Sequence, residues 1–273
     1  MENSSDFEVI EDARQSSDYA KYIQSIGWKV IQINKIYIFL KNIFGLKIAK
    51  IQRTKVEMPW KKIFEILKKE KVFSLRYEPT DGNKPVGFGY SSWPLIGTKT
   101  LRINLRPSET TIINSFKKDC RYTLRQGFKR NIQFSIDKFD EFYEIWKKEA
   151  RRKRLWIPSN KEYIDLVNCF GEKVFCVTYK DIAGAVILMH KKTAFYYYSA
   201  CLPEGKPLQL PYLIVWEAMK VAKKKGCNIW DFEGIYDERW PNIGWKGFSH
   251  FKKSFGGKEV PFPGSFQKWL WPW

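Results

Sequence analysis

Val174-Phe-Cys-Val-Thr-Tyr179, Ala185-Val-Ile-Leu-Met-His190 and Ala194-Phe-Tyr-Tyr-Tyr-Ser-Ala200 are three β-rich runs, parted by Asp181-Ile-Ala-Gly184 and Lys191-Lys192. Turn residues between short apolar runs predict an antiparallel meander. A long helix is expected next, over Leu208–Lys225, stopped by Gly226, and then a buried strand over Ile229–Phe232. Working back from the meander, Ser159 and Glu162 have capping-box spacing for a helix over Lys161–Phe170. Lys138–Arg154 reads as another, with Phe139, Phe142, Tyr143 and Trp146 facing a core. A strand is expected over Ile132–Ile136. Before it, one helix from Ser108 to Phe128 carries Ile112, Phe116, Cys120, Leu124 and Phe128 at four-residue spacing. Lys117, Arg121, Arg125 and Lys129 recur one residue behind, which sets an apolar and a basic stripe side by side over four turns.

The N-terminal part mixes a sheet with two helices. Ser16–Ile26 and Met58–Glu70 have helical periodicity, the latter with Pro59 in its first turn. Lys29–Ile33, Ile36–Ile43, Leu46–Gln52, Val72–Glu78 and Thr100–Leu105 read as strands. The expected fold class is α/β (α+β), in two domains that each set a mixed, largely antiparallel sheet against helices. The expected boundaries are an acidic flexible tail over residues 1–15, a short domain over 16–106 completed by 258–273, and a second domain over 107–257.

The chain has 273 residues, 44% hydrophobic and 17% aromatic, enough for a sizeable core. Its formal charge of +19 and pI near 9.6 predict polyanionic partners: nucleic acid, a phosphorylated substrate or an anionic membrane surface. Five cysteines without a Cys-x-x-Cys pair argue for reduced thiols in a cytoplasm. No basic-then-apolar leader opens the chain, and Lys35, Lys41, Lys47 and Lys50 interrupt the most apolar segment, Val30–Ile51. The aromatic end, Trp269-Leu-Trp-Pro-Trp273, either docks on its domain or touches a bilayer interface. A cytoplasmic monomer with peripheral contact to an anionic membrane is the expectation.

Two histidines and no His-Glu-x-x-His argue against zinc protease chemistry. Gly-x-Ser-x-Gly and a Walker A loop are also absent. No metal or cofactor is expected. A helix after three antiparallel strands is where an acetyl-CoA N-acyltransferase holds pyrophosphate on backbone N–H groups. Here that loop is Pro203-Glu-Gly-Lys-Pro-Leu-Gln-Leu-Pro211, whose three prolines remove donors.

Three basic features each have a bland and a functional reading. The stripe on the Ser108 helix is a solvated face or a nucleic-acid contact. Arg151-Arg-Lys-Arg154 is a solvated cluster or a diphosphate clamp. Lys252, between Phe251 and Phe255 in Gly244-Trp-Lys-Gly-Phe-Ser-His-Phe-Lys-Lys-Ser-Phe-Gly-Gly257, is a snorkelling lysine or a cation aimed into a cleft from a loop beyond the strand tip.

Several segments together resemble the Fem-type (FemABX) peptidoglycan aminoacyltransferases. They are Arg76-Tyr-Glu-Pro79, Leu101-Arg-Ile-Asn-Leu105, Lys118-Asp-Cys-Arg-Tyr-Thr-Leu-Arg125, Trp216-Glu-Ala-Met through Gly226, Trp230-Asp-Phe-Glu-Gly234 and Phe251-Lys-Lys-Ser-Phe-Gly-Gly257. The resemblance covers roughly residues 70 to 268. It implies tandem acetyltransferase-like (GNAT) domains and transfer of an amino acid from aminoacyl-tRNA to an amine of a nucleotide- or lipid-linked muropeptide. It further implies Lys252 as the cation at the developing oxyanion and Glu78 as the residue that positions or deprotonates the amine. Arg152 and Arg154, with Lys29 and Lys253, are implied to bind the precursor, and Lys117, Arg121, Arg125 and Lys129 the tRNA. The sequence departs from the family in having no helical-hairpin insertion and in placing Glu233 where a glycine is usual. Two other classes stay open: an acyl-CoA-dependent N-acyltransferase and a non-catalytic RNA-binding protein.

Overall fold

The computed structural model describes residues 10–55 and 57–270, which form two compact units. One takes the chain up to Lys99, together with Tyr236–Asn242 and the segment from Pro261 on. The other takes Thr100–Ile235 and Ile243–Val260.

In chain order the first unit holds α1 (Ser17–Ser25), β1 (Lys29–Ile33), β2 (Ile36–Ile43), β3 (Leu46–Gln52), α2 (Trp60–Lys69), β4 (Val72–Glu78) and β5 (Gly89–Tyr90). The second begins with β6 (Lys99–Asn104), α3 (Glu109–Ser115), α4 (Lys118–Phe128), β7 (Ser135–Ile136), α5 (Phe139–Lys153) and α6 (Asn160–Phe170). It continues with β8 (Val174–Tyr179), β9 (Ala183–His190), β10 (Thr193–Cys201), α7 (Leu210–Lys224), β11 (Ile229–Asp231), α8 (Trp245–Ser254) and β12 (Lys258–Pro261). β13 (Phe266–Trp269) belongs to the first unit.

The first sheet has the order β1-β2-β3-β4-β13-β5. Its strands alternate, so Ile38, Leu40, Ala49, Ile51, Leu75, Tyr77 and Phe266 share one apolar face. Ile63 and Leu67, one helical turn apart on α2, are both fully buried against that face. The opposite face is polar along β3 and β4, where Lys50 pairs with Arg76 and Gln52 with Glu78 in parallel register.

The second sheet has the order β12-β6-β11-β10-β9-β8-β7. The antiparallel meander β8-β9-β10 is present, followed by α7 and by β11 parallel to β10. The Ser159 capping box forms as expected. α7 has apolar residues on most of its faces, and Leu213, Val215, Ala218, Met219 and Ala222 are all buried in the core of this unit.

Four expectations need correction. The helix from Ser108 is not continuous: Phe116 and Lys117 are extended, with ψ of 154° and 155°. The break is held by outside partners, since the Lys117 N–H donates to the Ser254 carbonyl at 2.9 Å and the Arg121 guanidinium caps the Phe116 carbonyl. Phe128 is exposed, so the apolar stripe ends at Leu124. The strand over Ile132–Ile136 shrinks to Ser135–Ile136. In the expected flexible tail, residues 1–9 lie outside the described ones, while Ile10, Asp12, Ala13 and Arg14 are buried and Asp12 pairs with Arg14 at 3.1 Å. Burial supplies the order that composition alone argued against.

Candidate functional site

The second unit converges on the end of β11. Asp231, Phe232, Glu233 and Gly234 leave the sheet there, and α8 crosses with Lys252. Lys252 therefore sits on a helix instead of the expected loop. Phe255 fixes that helix: it is fully buried, with its ring centroid 5.2 Å from Phe116, 5.6 Å from Tyr212 and 5.4 Å from Phe232. The two glycines that follow are required by close approach. A Cβ on Gly256 would lie 2.6 Å from the Ser115 carbonyl oxygen, and one on Gly257 2.4 Å from that of Arg102. Both glycines have positive φ, of +70° and +84°. The segment Phe255-Gly-Gly257 thus plugs the break between α3 and α4.

The Lys252 ammonium is held between backbone oxygens. Nζ donates to the carbonyls of Phe232 and Gly234, each at 2.7 Å, which leaves one N–H of three. The ring of Phe248 lies 4.9 Å from Nζ and that of Tyr196 5.9 Å. Desolvation pushes the amine down to about 8, while the charges of Glu233 and Asp231 pull the other way. Between the two accepting carbonyls, Glu233 is left-handed, with φ +67°. Such a backbone costs a non-glycine residue roughly 1 kcal/mol or more. Under it, Asp231 is buried, accepts from the Arg102 guanidinium at 2.8 Å and from Thr100, and receives the Glu233 N–H at 2.8 Å. The Arg102–Asp231 pair so fixes the chain that presents both carbonyls. The sequence marked Glu233 only as a departure from a usual glycine, and the Arg102–Asp231 pair beneath it was not singled out.

The other expected residues are placed as follows. Lys253 pairs with Glu259 at 2.6 Å. Arg152 makes two hydrogen bonds to Glu149, at 2.7 and 2.8 Å, so its fork is already engaged by a carboxylate. Arg154 is exposed at the left-handed end of α5, beside exposed Leu155 and Trp156. Lys117, Arg125 and Lys129 are exposed, but Arg121 braces the helix break. In the first unit Lys29 pairs with Glu70 at 2.5 Å. Glu78 is 2% exposed, and both its oxygens are bonded, one by the Gln52 amide at 3.0 Å and one by the Leu95 N–H at 2.6 Å. On the same strand face, burial and the charge of Arg14 push the Lys50 amine down to about 8.

The loop before α7 turns its donors inward. The N–H groups of Gly205, Lys206 and Gln209 bond to the carbonyls of Leu202, Pro203 and Lys206. With three prolines besides, the loop offers little to a pyrophosphate. Among the described residues no cluster of three or more His, Cys, Asp or Glu is arranged for a metal, and no helix is long and apolar enough to cross a membrane.

Two mixed sheets flanked by helices, with the meander-helix-strand order of the second unit, define a tandem GNAT-like fold. A tandem GNAT protein from the clavulanic acid biosynthesis pathway is similar in structure, with TM-score 0.51, 9% identity, and 89% of this chain and 82% of that one covered. FemX is similar over 94% of this chain and 92% of its own, with TM-score 0.77 and 14% identity. L-PGS from Bacillus licheniformis is similar over 92% and 87%, with TM-score 0.60 and 8% identity. In sequence, residues 178–272 match the model of the FemAB family. No curated protein matches the chain significantly. Residues 178–272 are thus similar to the FemAB family, and the fold is shared with FemX and the tandem GNAT protein.

Proposed function

We propose that the protein transfers an amino acid from aminoacyl-tRNA to an amine of a peptidoglycan precursor peptide, with Lys252 as the cation at the developing oxyanion. The observation that carries this reading is the Lys252 ammonium, partly desolvated, fixed by two carbonyls and left with one N–H to give. An aminoacyl ester is already activated, so the reaction needs no enzyme nucleophile. The acceptor amine attacks the ester carbonyl, a tetrahedral oxyanion forms, the C–O bond to the tRNA ribose breaks, the proton lost by the amine ends on the ribose oxygen, and the amide remains. A fixed donor aimed at that oxyanion is worth about 10²–10³ in rate. The inward-turned, proline-rich loop before α7 favours a carrier other than coenzyme A. Glu78 positions the amine, its carboxylate fixed by the Gln52 amide and the Leu95 N–H. Arg154 and the exposed Lys117, Arg125 and Lys129 remain the proposed contacts for the anionic partners.

The test incubates purified protein with charged tRNAs and a nucleotide-linked muropeptide and reads product mass. A mass gain of one aminoacyl residue, absent with Lys252→Met, supports the reading. Product formed from an acyl-CoA, or tRNA binding that ignores aminoacylation and yields no product, would replace it with one of the two other classes.

A further inference from the structure

One end of the first unit's sheet has a composition that the fold does not need. β2 and β3 are joined by the two-residue turn Phe44-Gly45, with Ile43 opposite Leu46. Both turn residues have positive φ, +50° and +85°. Asn, Asp and Gly are the residues suited to such a turn, and a bulky aromatic there is an outlier that costs stability. Asn42 nevertheless holds the turn, accepting the Gly45 N–H at 2.9 Å. Phe44 is also fully exposed, at 103%, with Ile43 and Leu46 about half exposed beside it. The aromatic is therefore strained and solvated at once.

Strand register brings further groups to the same end. Lys47 pairs with Val72, which sets the exposed Lys68, Lys69 and Lys71 of the α2–β4 turn beside the hairpin. Lys29 and Lys47 both reach Glu70, so the carboxylate of that turn is already neutralised; the next acid along α2, Glu65, stands a turn back. β13 runs antiparallel to β4 with Trp269 opposite Ser74, so Trp269, 62% exposed and packed on Phe73, lies at this end too.

We infer that this end of the sheet docks on an anionic lipid bilayer, with Phe44 as the inserting tip, Trp269 at the headgroup level and the lysines on the phosphates. An exposed apolar tip with lysines beside it has hydrocarbon to bury and cations to pair, and an anionic bilayer interface meets both needs. Nucleic acid would match the lysines but not the aliphatic neighbours of Phe44, since bases are held by stacking on aromatic faces. The surface is independent of the reaction proposed above, so its test stands without it.

The test is co-sedimentation with vesicles of phosphatidylcholine alone and of phosphatidylcholine with phosphatidylglycerol. The intact protein binds the anionic vesicles and not the neutral ones, less so at high salt. Phe44→Asn lowers binding about tenfold, the scale of one lost aromatic burial, while raising the thermal midpoint because Asn suits the turn. Lys68→Glu with Lys69→Glu lowers binding and removes most of its salt dependence. Equal binding to neutral vesicles, or undiminished binding by Phe44→Asn, overturns the inference. So does a Phe44→Asn protein that keeps the vesicles but loses uncharged tRNA, which would make this end a nucleic-acid surface.

Discussion

Replacing Lys252 by Met removes a charge whose burial the fold resists, and the effect depends on pH in a calculable way. The folded amine titrates at about 8 against 10.5 for the free group. Below pH 8 both folded and unfolded chains hold the proton, so the full net cost of burying the ammonium, about 3 kcal/mol after the offset from Glu233 and Asp231, is present. Between pH 8 and 10.5 the unfolded chain binds more protons than the folded one, so stability rises with pH. At pH 9.5 the intact protein should have gained about 2 kcal/mol from this group relative to pH 7. The Met variant lacks that gain. At pH 7 it escapes the desolvation cost but orphans the carbonyls of Phe232 and Gly234, at about 1–3 kcal/mol each, so its stability should lie close to that of the intact protein. Urea melts of both proteins at pH 7 and pH 9.5 give the four numbers needed. Lys50, whose amine also titrates near 8, is common to both proteins and cancels. Parallel behaviour of the two proteins across that interval would refute the reasoning, because it would mean that the ammonium is well solvated.

Other substitutions probe the frame around Lys252. Glu233→Gly relieves the left-handed backbone at φ +67° and should stabilise the protein by about 1 kcal/mol in urea melts. Arg102→Met leaves Asp231 buried without its guanidinium and should cost about 3–5 kcal/mol, with loss of any transfer activity at temperatures where the chain still folds. Gly257→Ala drives a methyl against the Arg102 carbonyl and should destabilise by several kcal/mol, on the order of a severe core substitution, read as a lowered thermal midpoint.

Much of the architecture was legible because local signals were strong. β1, β2, β3, β4 and β8 have the expected bounds; all are β-rich runs, with β1 followed by Asn34 and β4 by Pro79. The break at Phe116-Lys117 was not legible. Periodicity runs straight through it, and the competing hydrogen bond comes from Ser254, distant in sequence. α8 was hidden for a related reason: Gly247 lowers its intrinsic helicity, and it is stabilised by packing of Phe251 and Phe255. Lys252 was found from its aromatic flanks, yet its acceptors are backbone oxygens, which no side-chain pattern announces. The basic clusters have partners that a run of lysines and arginines does not announce: Glu149, Glu70 and Glu259 pair with Arg152, Lys29 and Lys253.

The most direct measurement is the single-turnover rate of aminoacyl transfer to a muropeptide amine by the intact protein and by the Lys252→Met variant, at pH 7 and saturating substrates. If this ammonium carries the oxyanion, the variant binds both substrates but its rate falls about 10²–10³-fold. An unchanged rate in the folded variant would contradict the account.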